Sequence, residues 1–142
     1  PWPRGVVPQA DATSCRQVCE ALMAASDAGT VAAAHAPHLG GLAVALTTLC
    51  LAGDLGCDLR LEKTHIPLHS FLFSESGGRL LVSTEADEGE AFVAACVAAG
   101  VTPLHLGAFT EERQLTLQAG GDTLDLDTGA LRRRYQERLR GI

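Results

Sequence analysis

Two hydrophobic periods run along this chain, and the switches between them mark out its elements. From about 11 to 28, Val18, Leu22 and Met23 lie on one helical stripe and Gly29 supplies a stop, which predicts a helix. Residues 31–34 predict a short buried strand, ended by His35-Ala36-Pro37. Gly40-Gly41 precedes LAVALTTLCLAG (42–53), apolar almost all round, which predicts a helix buried on most sides. Cys57, Leu59 and Leu61 alternate with Asp58, Arg60 and Glu62, a half-buried strand pattern. Residues 63–78, with Pro67, Gly77 and Gly78, predict a long connection containing one apolar turn at 71–73.

RLLVST (79–84) predicts a strand, and Thr84 with Asp87 forms a T-x-x-D start for a helix through Phe92, Val93, Cys96 and Val97 to Gly100. TPLHLGAF (102–109) predicts another strand. RQLTLQ (113–118) and DTLDL (122–126), joined at Gly120-Gly121, predict a hairpin, and Asp127 caps a last helix over about 129–140. Helices interleaved with strands and a closing hairpin imply an α+β fold, a sheet with helices packed on it. PWPRGVVPQ (1–9) has three prolines and no period, so residues 1–10 are expected to be a linker and 11–142 one domain.

At 142 residues the chain is long enough for a single core but too short for an enzyme with separate nucleotide, acceptor and ammonia-handling domains. A hydrophobic share of 46 % and a charged share of 20 % are those of a globular protein. The net charge of −6 argues against nucleic acid as a partner. It is unevenly spread: residues 132–142 carry five Arg and one acid, a net +4, which leaves −10 for the rest. Such a basic helix favours its own C-terminal dipole, meets an acidic neighbour or is a solvated face. No stretch reaches the ~20 apolar residues of a membrane span, and no secretory leader pattern is present. Five cysteines without such a leader imply a reducing compartment and a cytoplasmic location. A first residue of Pro1 rather than Met implies a start inside a longer reading frame.

Cys15, Cys19, Cys50, Cys57 and Cys96 form no CxxC pair, and Cys50 and Cys96 fall in apolar runs as small buried hydrophobes. The histidines (35, 38, 65, 69 and 105) lack a metal-ligand spacing, since Pro67 interrupts the one pair four apart, so no metal site is expected. Two segments carry more chemistry. Gly40-Gly41 at a helix start leaves backbone N–H groups able to meet an anion, or is a simple tight turn. In LFSESGGR (72–79), Ser74, Glu75, Ser76 and Arg79 form a polar loop between apolar anchors, suited to a ligand. The bland reading is an Arg79–Glu75 pair that only organises the loop.

Taken together, GVVPQAD with its following helix, AHAPHLGGLAVAL, GDLGCDLRL, LFSESGGRLLV and the closing LRRRYQERL helix resemble the C-terminal part of phosphoribosylformylglycinamidine synthases. The resemblance covers nearly the whole chain. It implies a three-layer α/β/α domain with a mixed sheet, of the type that ends aminoimidazole ribonucleotide synthase. It also implies membership of a ligase that uses ATP and magnesium to join ammonia from glutamine to formylglycinamide ribonucleotide. Partners would be an ATP-binding domain and a glutaminase domain or subunit, with a homodimer of the isolated domain a further possibility.

Where that family commonly has H-D-x-S-D-G-G-L, this chain has His35, Ala36, Pro37, His38, Leu39, Gly40, Gly41 and Leu42. The His, both Gly and the last Leu match, but both Asp and the Ser are replaced, removing carboxylates that could serve magnesium or substrate. Ser74-Glu75-Ser76-Gly77-Gly78-Arg79 matches the family's S-E-S-x-x-R loop. The resemblance therefore implies a substrate- or nucleotide-binding set of Ser74, Glu75, Ser76, Arg79, Gly40, Gly41 and His35. It implies no catalytic residue in this domain, which by itself would carry no cofactor and no activity. Other ATP-dependent enzymes of the same superfamily, of thiamine-monophosphate kinase or selenophosphate synthase type, and a degenerate binding or dimerisation module are the alternatives.

Overall fold

The computed structural model describes residues 11–61 and 66–140, with side chains through Glu137. The elements are α1 (Ala12–Asp27), β1 (Ala33–His35), α2 (Gly41–Gly53), β2 (Gly56–Leu61), α3 (Leu68–Phe73) and β3 (Leu81–Ser83). There follow α4 (Gly89–Ala98), β4 (Gly107–Thr110), β5 (Gln114–Ala119), β6 (Asp122–Asp127) and α5 (Thr128–Arg140). The expected arm over 1–10 and His65 lie outside the described residues. The chain divides into two compact units, one of residues 11–42 and 74–104 and one of 43–73 and 105–140.

The first unit pairs α1 with α4 and β1 with β3. Asp11 caps α1, its carboxylate accepting from the Thr13 N–H at 3.0 Å and from the Ser14 hydroxyl, so donors orphaned at the helix start are satisfied. Ala21 and Ala25, one turn apart, are the buried positions of α1, and Cys96 that of α4. β1 and β3 run antiparallel with Ala33 opposite Ser83 and His35 opposite Leu81. Helix α4 starts at Gly89, not at the T-x-x-D signal. A turn closed by the Glu88 N–H on the Glu85 carbonyl at 3.1 Å intervenes, so Glu88 takes the N-cap position and Thr84 stays outside the helix.

The second unit is built on a four-stranded sheet in the order β4-β2-β5-β6. β2 is antiparallel to β4 and parallel to β5, and β5 is antiparallel to β6, so the sheet is mixed and the fold α+β. The period-two pattern fixes its buried face. Cys57 and Leu59 lie opposite Leu115 and Leu117, and all four are buried with Leu61. Close backbone approach demands glycine at two places. A Cβ on Gly56 would stand 2.0 Å from the Glu112 carbonyl oxygen, and one on Gly107 (φ +149°) 1.8 Å from that of Asp58.

Further elements depart from expectation, β1 among them: it spans Ala33–His35 with Ala33 and Ala34 exposed, not a buried strand over 31–34. Residues 68–73 form a short helix rather than one apolar turn, because the Pro67 carbonyl accepts the Phe71 N–H at 3.0 Å and Leu72 is buried. The strand expected over 102–109 shortens to Gly107–Thr110, preceded by a bond from the Arg60 N–H to the Leu106 carbonyl at 2.8 Å. Pro103 has no N–H to give a ladder. The basic last helix meets both an acid and a helix end. Arg132 donates to the Leu51 carbonyl near the end of α2 and to Asp54 at 3.1 Å, and Arg113 pairs with the same carboxylate. Asp54 itself takes the left-handed conformation (φ +57°), and the Leu55 N–H closes the helix on the Cys50 carbonyl at 2.9 Å.

Candidate functional site

The antiparallel ribbon of the first unit brings two distant segments to one place. His35 ends β1 and faces Leu81, which begins β3, so the turn leaving β1 and the loop entering β3 emerge at the same end. These are the HAPHLGG turn and the SESGGR loop. Glu75 Oε1 ties them by accepting the Gly40 N–H at 2.9 Å, across 35 residues of sequence. All seven residues singled out in the sequence belong to this unit, on these two segments.

Each segment has its own internal order. Gly40 and Gly41 both have positive φ, +81° and +63°, conformations that a side chain would strain. The Gly41 N–H donates to the His38 carbonyl at 2.9 Å, and the Leu39 N–H to His38 Nδ1 at 2.7 Å. With Nδ1 accepting, a neutral His38 carries its proton on Nε2. The His35 and His38 rings stand 6.0 Å apart, tilted by 40°. In the loop, Arg79 Nε donates to the Ser76 carbonyl at 3.4 Å and its terminal nitrogen to the Ser74 carbonyl. Arg79 thus folds the loop by gripping backbone oxygens, while the Glu75 carboxylate reaches across to the glycine turn.

The electrostatic logic lies at the start of α2. Its N-terminal amides carry the positive end of the helix dipole, and the exposed Glu75 carboxylate occupies the position an anion would take there. The Gly40 and Gly41 amides are engaged by Glu75 and by the His38 carbonyl, so an incoming anion has to displace Glu75 or use other donors. Ser74, Ser76, Arg79 and His35 are half-buried. Leu39, at a position where the resemblance expects a carboxylate, is 73 % exposed.

Magnesium does not fit this donor set. Glu75 is the only carboxylate on the two segments, and hard divalent cations take oxygen ligands that Ala36 and Leu39 do not supply. Among the described residues no group of three or more His, Cys, Asp or Glu could hold a metal ion. His38 is the site residue that sequence reasoning passed over; its spacing, three residues before a helix-starting glycine, was the available signal. Away from the site, His69 and His105 are exposed. Burial pushes the Cys96 thiol up from its usual range. Among the described residues no helix is long and apolar enough to cross a membrane.

Comparison with known proteins adds to this geometry. The family described as AIR synthase related protein, C-terminal domain, matches residues 2–120. The phosphoribosylformylglycinamidine synthase subunit PurL of Mycolicibacterium vanbaalenii is 41 % identical over 103 residues, which are 72 % of this chain and 13 % of that protein. The corresponding subunit of Parvibaculum lavamentivorans is 34 % identical over 117 residues, 82 % of this chain and 16 % of the relative. The chain therefore spans under a fifth of the length of these curated relatives. Among solved structures, Thermotoga maritima PurL complexed with FGAR aligns with a TM-score of 0.78 at 19 % identity, covering 88 % of this chain and 22 % of that one. The same protein complexed with ATP aligns at 0.72 and 20 % identity, covering 82 % and 21 %. At that identity the likeness is one of fold.

Proposed function

The chain belongs to the family of AIR synthase related C-terminal domains, and we propose that it serves as the C-terminal domain of a phosphoribosylformylglycinamidine synthase. In that role it supports the ligase fold in the cytoplasm and performs no chemistry by itself. The observation that supports this reading is the Glu75–Gly40 bond, which joins the two segments carrying the strongest family resemblance into one surface.

The chemistry assigned to the site is recognition. Ser74 and Ser76 offer hydroxyls, Arg79 a guanidinium for an anionic group, and His35 a ring at the mouth of the glycine turn. Gly40 and Gly41 shape the start of α2, and Glu75 holds that shape. A substrate or nucleotide bearing phosphate is the ligand class that this set of donors suits. In the full enzyme ATP and magnesium would supply the energy of ligation, held by residues outside this turn. The residues of this turn do not fit magnesium, since Ala36 and Leu39 supply no oxygen ligand. The partners proposed are an ATP-binding domain and a glutaminase domain or subunit. The solved structure of PurLQS from Thermotoga maritima is a precedent for such an assembly in a similar protein.

The test is an exchange. The chain replaces the matching segment of the Mycolicibacterium relative, and conversion of formylglycinamide ribonucleotide with ATP and glutamine is assayed. Activity in the chimera and none in the isolated chain is the expected result. A well-folded chimera with no activity overturns the assignment. In the active chimera, Arg79→Ala is expected to raise KM at least about tenfold, the loss of one charge-assisted contact.

A further inference from the structure

One pair of side chains in the second unit has no part in the site above. Cys50, in the last turns of α2, and Cys57, the second residue of β2, place their sulfurs 3.5 Å apart. Both are sealed from solvent, at 0 % and 1 % exposure. The fold builds this proximity: the left-handed Asp54 and the bond from the Leu55 N–H to the Cys50 carbonyl reverse the chain between them. The other three cysteines belong to the first unit.

We propose that Cys50 and Cys57 are a redox-active dithiol, converted by a hydroperoxide to a disulfide that fastens the end of α2 to β2. A disulfide needs a sulfur separation of about 2.0 Å, so closure asks for a movement of roughly 1.5 Å. Either thiol can donate to the other. When Cys50 loses its proton, the Cys57 S–H stabilises the resulting thiolate, which holds the Cys50 thiol below its usual range and pushes that of Cys57 far up. The 3.5 Å separation lets either sulfur attack first and the other resolve it, and the thiolate-stabilising contact favours Cys50 as the attacker.

Its thiolate attacks one peroxide oxygen, the O–O bond breaks, and the departing hydroxide takes a proton to leave as water. The product is a Cys50 sulfenic acid. The Cys57 sulfur then attacks the sulfenic sulfur; the S–S bond forms, the S–O bond breaks, and hydroxide leaves with the Cys57 proton as a second water. Two thiols and one hydrogen peroxide give one disulfide and two waters, with two electrons passing from sulfur to peroxide. Burial restricts the pair to small oxidants and keeps the sulfenic acid from bulky thiols, so the neighbouring Cys57 resolves it.

The experiment treats the native 142-residue chain with hydrogen peroxide, then alkylates it in denaturant. A mass lower by about 2 Da before alkylation and a fall from five reactive thiols to three are expected. Cleavage on the amino side of aspartates puts Cys50 in residues 27–53 and Cys57 in 54–57. These two peptides should be recovered linked, and dithiothreitol should separate them. In Cys57→Ser the link is lost, and dimedone added with denaturant after the peroxide is removed traps the Cys50 sulfenic acid. The proposal is overturned if both sulfurs stay alkylatable after the exposed Cys19 has oxidised, if the link joins Cys15 to Cys19, or if it forms only in chain already unfolded by denaturant. Should the serine variant not fold, the linked peptides from the native chain decide the matter.

Discussion

Glu75 spends its carboxylate on a backbone amide 35 residues earlier, and that single bond defines the candidate site. A charge-assisted bond of this kind on an exposed group is worth about 1 kcal/mol. Glu75→Ala is accordingly expected to raise hydrogen exchange at the Gly40 amide roughly fivefold, while Glu75→Gln, which keeps an accepting oxygen, changes it less. Asp11 gives a pH signature. Its carboxyl is held below the ordinary 3.8, first by the Ser14 hydroxyl and then by the Thr13 amide. A depressed folded value means that its contribution is fully present above the unfolded value and is lost as pH falls through the folded one. Protection from exchange in the first turn of α1, relative to the unstructured chain at the same pH, should therefore fall as the pH drops below about 4, and Asp11→Asn, a cap without a titrating group, should remove that dependence. At this scale the sequence disclosed the polar loop and the glycines. It did not disclose where Glu75 would point, because only the register of β1 against β3 brings Gly40 within reach.

Elements whose signal is local were legible, and those decided by partners were not. The β5–β6 hairpin and the alternation in β2 follow from period two and a glycine turn, and both formed as read. Helix α3 was missed because six residues give no periodicity, and its start depends on a proline carbonyl rather than a side-chain cap. The T-x-x-D signal misled because a capping box requires the helix to begin directly after the threonine, and a turn came first. Sheet order was equally hidden: a parallel β2–β5 pair leaves no mark in either strand alone. Its consequence is testable at Gly107, where an added Cβ would collide with the Asp58 carbonyl in a conformation side chains avoid. Gly107→Ala is expected to lower the unfolding free energy by at least about 2 kcal/mol, read as a reduced denaturant midpoint. Gly120→Ala, at a turn with nothing within 4 Å, should cost less, because only the φ of +63° opposes it.

For the molecule as a whole, length set the first limit and the comparisons give it content: a chain matching 13–16 % of its relatives has surfaces that the remainder of such proteins could cover. Several apolar side chains of the described residues are exposed. Val93 and Val97, four apart on α4, are 46 % and 56 % exposed, and Met23 on α1 is 65 % exposed. In the second unit Phe73 and Tyr135 are 58 % and 61 % exposed. An isolated surface hydrophobe is ordinary, but a helix that is apolar on its exposed as well as its buried side is a liability in water. The net charge of −6 opposes association only weakly at physiological salt, where repulsion is screened within about 8 Å. The chain by itself should therefore self-associate as its concentration is raised, seen as a sedimentation coefficient that rises with concentration. Val93→Glu adds a charge to the exposed helix face away from the C-terminal end of the dipole, so it should reduce that rise while leaving the far-ultraviolet dichroism unchanged. A wild-type chain that sediments as a monomer throughout would show that the face of α4 is tolerated in water, and that its apolar character says nothing about a neighbour.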